Sequence, residues 1–90
     1  MKEQFRHFLI NTGYKETTPS GHPSTVYDYM KRIEKVCEWE NESWETLATN
    51  IDDIVRMYDV GGSKEERGKK SHSAVINALR RYKEFTKQNV

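Results

Sequence analysis

The sequence predicts an all-α protein, a compact bundle of four to five short helices. Three observations point to it. Apolar residues recur at steps of three and four along most of the chain. No stretch shows the period-two alternation of a strand, and Gly, Pro and helix-capping residues fall between the periodic segments rather than inside them. The 90 residues suit a single helical domain over positions 1 to 90, either whole or as a piece of a longer protein. A chain of this size buries only about 60–65% of the surface its unfolded form exposes. Hydrophobic residues make up 34% and charged ones 32%, yet two Trp, five Tyr and three Phe supply enough large side chains for one core.

Each element has its own signal. Phe5, Phe8, Leu9 and Thr12 share a helical face and Gly13 suits a left-handed terminus, which predicts a first helix over 3–12. The turn-rich "YKETTPSGHPS" ends at Pro23 and Ser24, a suitable helix start. From there Val26, Met30, Ile33 and Cys37, widened by Tyr29 and Val36, form an amphipathic stripe to Glu40. Ser43 is the expected N-cap of a short helix that turns Trp44, Leu47 and Ala48 inward. Asn50 is the expected cap of the next, with Ile51, Ile54, Val55 and Tyr58 in the same apolar phase, so the two segments read either as separate helices or as one bent helix. "DVGGSKEERGKKS" breaks the pattern and reads as the most mobile segment. Ser71 or Ser73 is expected to cap a last helix striped by Val75, Ala78, Leu79, Tyr82 and Phe85.

Most chemistries are excluded by spacing. Cys37, His7, His22 and His72 contain no pair at metal-ligand spacing, so neither a metal nor any other cofactor is expected. The lone Cys37 falls on an apolar stripe, where a structural thiol is the ordinary reading, and it forms no internal disulfide, which fits a reducing compartment. "GSKEERGKKS" departs from a phosphate-binding loop: it follows a helix, its glycines are one residue too far apart, and a second Lys precedes the Ser. Glu38, Glu40, Glu42 and Glu45 flank Trp39 and Trp44 in what reads as a solvent-facing turn, with no partner for acid–base work. The chain is therefore not expected to be an enzyme. No run reaches the roughly 20 apolar residues of a membrane span, and the opening "MKEQFRHFLI" lacks the apolar stretch of a secretory signal, so no membrane partner and a cytoplasmic location are expected.

Charge carries the remaining signal. The net charge of +1 hides an uneven distribution: five basic and three acidic residues over 1–33, two and eight over 34–59, eight and three over 60–90. Such asymmetry marks either ordinary solvated helix faces or a surface for a polyanion. Lys31, Arg32 and Lys35 lie off the stripe of the second helix, and Arg80, Arg81 and Lys83 off that of the last. If those helices lie side by side, their basic residues form one surface, extended by Lys69, Lys70, Ser71 and His72, where charge and free helix N–H groups suit phosphate oxygens.

The order "QFRHFLINTGYKETT", "STVYDYMKRIEKVCEW", "NIDDIVRMYDVGG", "KKSHSAVINALRRYKEF" resembles the N-terminal core-binding domain of tyrosine recombinases and phage integrases. The residues that carry the likeness are Phe5, Phe8 and Leu9; Thr25 and Tyr27; Ile51 to Tyr58; and Ser71 with Ala78, Leu79, Arg80 and Phe85. The resemblance implies a SAM-like helical fold and a module that grips double-stranded DNA in recombination or integration. The second and last helices would lie on the backbone through Lys31, Arg32, Lys35, Lys69, Lys70, Arg80, Arg81 and Lys83. Binding by such a module alone would be weak or non-specific, and strand cleavage in that family belongs to a separate domain. The acidic middle and the long segment over 60–70 depart from the family pattern, which keeps open the alternative of a SAM-like protein-interaction domain using its acidic middle or its Trp39 to Trp44 turn.

Overall fold

The computed structural model describes residues 1–88 and consists of six helices: α1 Lys2–Asn11, α2 Thr25–Glu40, α3 Trp44–Thr49, α4 Ile51–Tyr58, α5 Glu65–Gly68 and α6 Lys70–Gln88. The all-α bundle is as the periodicity predicts. Among the described residues there is no strand, only a single antiparallel bridge between Thr17 and Pro23 that closes the first connector. The radius of gyration of 12.6 Å matches the ~12 Å of a compact domain this long.

The core is built on α6, against which all five other helices pack. Its predicted stripe of Val75, Ala78, Leu79, Tyr82 and Phe85 is buried throughout, joined by Ile76. From α2, Val26, Met30, Ile33 and Val36 meet it, whereas Cys37, read as part of the stripe, is only half-buried at its edge. At the other end an aromatic cluster ties three helices together. Phe5 lies edge-on to Tyr82 at 5.0 Å and within 6.1 Å of Trp44, and the Tyr82 hydroxyl donates to the Trp44 carbonyl at 2.5 Å. Rings at these distances add attraction beyond their buried area, and the Tyr82 hydroxyl keeps a partner despite burial.

The helix ends follow expectation in part. Ser43 caps α3 with a capping box, its hydroxyl accepting from the Thr46 N–H while Thr46 Oγ1 accepts from the Ser43 N–H. Ser24 and Asn50 occupy the expected N-cap positions of α2 and α4, but neither side chain makes a capping bond. The break at Asn50 makes α3 and α4 two helices rather than one bent helix.

Two departures concern the segment expected to be mobile. It is folded: Lys64 N–H donates to the Met57 carbonyl at 2.8 Å, α5 follows, and Gly68 is buried. A β-carbon at Gly68 would stand 2.0 Å from the Tyr58 carbonyl oxygen, and one at Gly62 would stand 2.3 Å from the carbonyl oxygens of Arg56 and Met57. These glycines therefore serve close backbone approach to α4, not flexibility. The second departure is the start of α6. Neither Ser71 nor Ser73 caps a regular helix, because Ser71, His72 and Ser73 all adopt left-handed conformations, with φ of 56°, 57° and 68°. For residues with a β-carbon this costs roughly 1–2 kcal/mol each. The turn carries the chain from α5 into the buried body of α6.

Replacing Gly68 with Ala is expected to lower stability by about 3 kcal/mol, because backbone must move to admit the methyl group. Urea unfolding measures it; an unchanged midpoint would show that α5 does not press on Tyr58.

Candidate nucleic-acid interface

The ten residues singled out from the sequence do not all line one groove. A groove of about 280 Å³ between α2 and the start of α6 gathers Lys31, Arg32, Lys35, Lys70 and Ser71 around Trp39, with the carboxylates of Glu34 and Glu38 also in its lining. Arg80, Arg81 and Lys83 line a different depression, shared with Val55 and Asp59, on the side of α6 that meets α4. Lys69 and His72 are exposed beside the first groove without lining it.

Ion pairs separate the two groups further. Arg80 binds Asp59 at 2.7 Å, Arg81 binds Glu84, and Lys83 lies 3.4 Å from Asp52, which also accepts from Lys87 at 3.1 Å. Hydrogen bonds and charge from Lys87 and Lys83 outweigh desolvation and hold the Asp52 carboxyl below its usual range. At the first groove Arg32 is held by Asp28 at 2.9 Å, Lys69 by Glu65 at 2.8 Å, and Lys35 only reaches Glu38 at 4.0 Å. Lys31 and Lys70 have no carboxylate partner among the described residues. Each instead faces an aromatic ring: Lys31 stands 5.3 Å from the centre of Tyr27 and Lys70 stands 5.7 Å from that of Trp39.

Trp39 is the organising residue of the groove, and its placement corrects the sequence reading. It lies in the last turn of α2, half-buried and stacked on Tyr58 with ring centres 6.3 Å apart, not in a solvent-facing turn. Lys35 from α2, Arg67 from α5 and Lys70 from α6 converge on its ring at 5.8, 5.2 and 5.7 Å. The electron-rich face of one ring thus holds three like charges close together. The i, i+3 step from Val36 to Trp39 already places this ring beside the buried stripe.

Glu40 departs from the expected exposed carboxylate cluster in the same way. Its side chain is only 11% exposed, and it accepts from the Tyr58 hydroxyl at 2.7 Å and from Lys64 Nζ at 2.5 Å. Burial alone acts to raise this carboxyl. Hydrogen bonds from Lys64 and Tyr58, with the charges of Lys64 and Arg67, outweigh it and hold the group below its ordinary range. The same contact, added to burial, pushes the Tyr58 phenol well above its ordinary value. Cys37 is raised to about 11 by burial and by the nearby Glu34, Glu42 and Glu45 charges, so its thiol stays protonated and unreactive at neutral pH. No three His, Cys, Asp or Glu side chains are placed to hold a metal ion among the described residues, and no described helix is long and apolar enough to cross a membrane.

Neither protein-family models, nor curated proteins, nor solved structures match this chain.

Because the Glu40 carboxyl is depressed in the folded state, its contribution is present above the unfolded-state value and is lost as pH falls through the folded one. Glu40→Gln is expected to be less stable than the parent near neutrality, with the gap closing as pH falls through and below the usual glutamate range of about 4.3. Thermal unfolding across that range tests it; a gap that stays constant would mean Glu40 titrates as an ordinary carboxylate.

Proposed function

We propose that this chain is a DNA-binding module that holds the phosphate backbone in the groove between α2 and the start of α6, with no strand-cleaving activity of its own. One observation carries the reading. Lys31, Lys35 and Lys70 are held along one groove, and two of them, Lys31 and Lys70, have no carboxylate partner among the described residues, on a surface where most cations are paired. A phosphate entering there meets Lys31 and Lys70, which carry no ion pair among the described residues, beside Lys35, whose contact with Glu38 is long at 4.0 Å, and releases its own counterions in exchange. Ser71 adds a hydroxyl on the same wall.

The resemblance to the core-binding domain of tyrosine recombinases and phage integrases, carried by Thr25, Tyr27, Ser71, Ala78, Leu79, Arg80 and Phe85, supports the same class of partner. It names the second and last helices as the DNA-facing pair, and the groove lies where α2 meets α6. Arg80, Arg81 and Lys83 enter this reading as a second contact, weakened by Asp52, Asp59 and Glu84 beside them. Duplex DNA bound weakly and without sequence preference is the expected partner, in the cytoplasm, where a free Cys37 stays reduced. A protein partner docking on an exposed Trp39 is less favoured, since that ring is stacked on Tyr58 and ringed by cations.

Lys31→Glu combined with Lys70→Glu is expected to weaken binding to a labelled short duplex at least about tenfold and to reduce the slope of log affinity against log salt by about two. Arg80→Glu with Lys83→Glu should lower affinity less. Fluorescence anisotropy between about 50 and 200 mM salt reads both effects. An unchanged affinity and slope in the first pair would remove the groove from the interface.

A further inference from the structure

The α2–α6 groove does not stop at Lys31. A second groove of about 370 Å³, between α1, the first connector and α2, is also lined by Lys31 and Glu34, so the two grooves adjoin at these residues, and its far wall carries Lys2 and Arg6 together with Glu3 and Glu16. Its wall carries Tyr27, which is 49% exposed while most of the chain's other aromatic rings are packed into or against the core. Val26 and Met30 give this groove an apolar floor, and Glu34, at the junction, is engaged by Lys2. Tyr27, Lys31 and Lys35 follow one another at four-residue steps, about 6 Å of helix rise each. An accessible aromatic ring continued by evenly spaced cations is a combination that duplex backbone does not require. In a duplex the bases are stacked on each other and offer no free face. In a single strand they do, and an aromatic side chain in line with cations binds base and phosphates together.

We infer that Tyr27 is a stacking platform for an unpaired base, and that the adjoining grooves, from Tyr27 past the shared Lys31 to Lys35 and Lys70, take single-stranded DNA or the unpaired end of a duplex. This rests on the phosphate-binding reading of the Lys31 and Lys70 groove and adds the base contact to it. The strand runs along α2 with one base on the Tyr27 ring. Lys31, whose ammonium stands 5.3 Å from that ring, takes the adjoining phosphate. Lys35 and Lys70 take those that follow.

The test compares a labelled oligothymidylate with a blunt duplex of equal length, using the parent, Tyr27→Ala, Tyr27→Phe and the Lys31→Glu, Lys70→Glu pair. The half-exposed position of Tyr27 leaves the fold intact, which circular dichroism verifies. Tyr27→Ala is expected to lose about tenfold in affinity for the single strand and little for the blunt duplex, while Tyr27→Phe keeps both. Equal binding of the single strand by the parent and Tyr27→Ala would overturn the stacking platform. If the lysine pair still loses affinity in that case, the phosphate groove stands without it. Equal losses on both probes in Tyr27→Ala would also overturn it, by showing that Tyr27 does not distinguish unpaired bases. If the parent binds neither probe at low salt, both readings fall together.

Discussion

The burial of one face of α6 is the constraint on which the rest of the molecule depends. Every other helix packs on that helix, and its buried residues run from Val75 to Phe85 without a polar interruption on the inward side. A small domain has room for one core, and here that core is wrapped around a single helix. The consequence for function is geometric. Basic residues of α6 can stand only on its outer flank, as Arg80 and Lys83 do beside α4, or ahead of its buried body, as Lys70 does beside α2.

The uneven charge of the chain resolves into partnership between its parts. The acidic middle and the basic last third largely answer each other: Glu40 with Lys64, Asp59 with Arg80, Asp52 with Lys83 and Lys87. Glu40 is mostly buried, whereas the exposed pairs, Asp59 with Arg80 and Asp52 with Lys83 and Lys87, are worth about 0–1 kcal/mol each and add little to stability. They matter by cancelling positive potential over the α4 side of α6. Beside Trp39, by contrast, Lys70 faces that ring and Lys31 faces Tyr27, and neither has a carboxylate partner among the described residues. The glycine contacts of α5 on α4 hold Arg67 against Trp39. Close backbone packing and the cationic groove thus belong to one local arrangement.

Much of the fold was legible from apolar spacing, because burial on a helix imposes a period that composition cannot hide. The stripes of α2, α4 and α6 and the Ser43 cap follow directly from it. The segment over 59–70 was not legible, because Gly62 and Gly68 carry the same sequence signal whether they permit motion or close approach. Only the positions of the Arg56, Met57 and Tyr58 carbonyls decide between the two. The left-handed turn at Ser71, His72 and Ser73 was hidden for a related reason: serine there reads as a cap, and nothing local announces three positive φ angles. The basic residues of the candidate site were visible as a set. Their division into paired and unpaired groups was not, because the partners of Arg80, Lys83 and Lys64 lie twenty or more positions away.

The central claim is that the groove between α2 and the start of α6, more than the α4 side of α6, meets nucleic-acid phosphate. Amide-shift mapping by nuclear magnetic resonance tests it most directly, with a short DNA titrated into the labelled protein at low salt and the titration repeated at about 200 mM. The account predicts the largest shifts at Lys31, Lys35, Lys70 and Ser71, fading steeply as salt rises, with smaller shifts at Arg80, Lys83 and Lys87. Shifts centred on Arg80 and Lys83, or none at low salt, would contradict it.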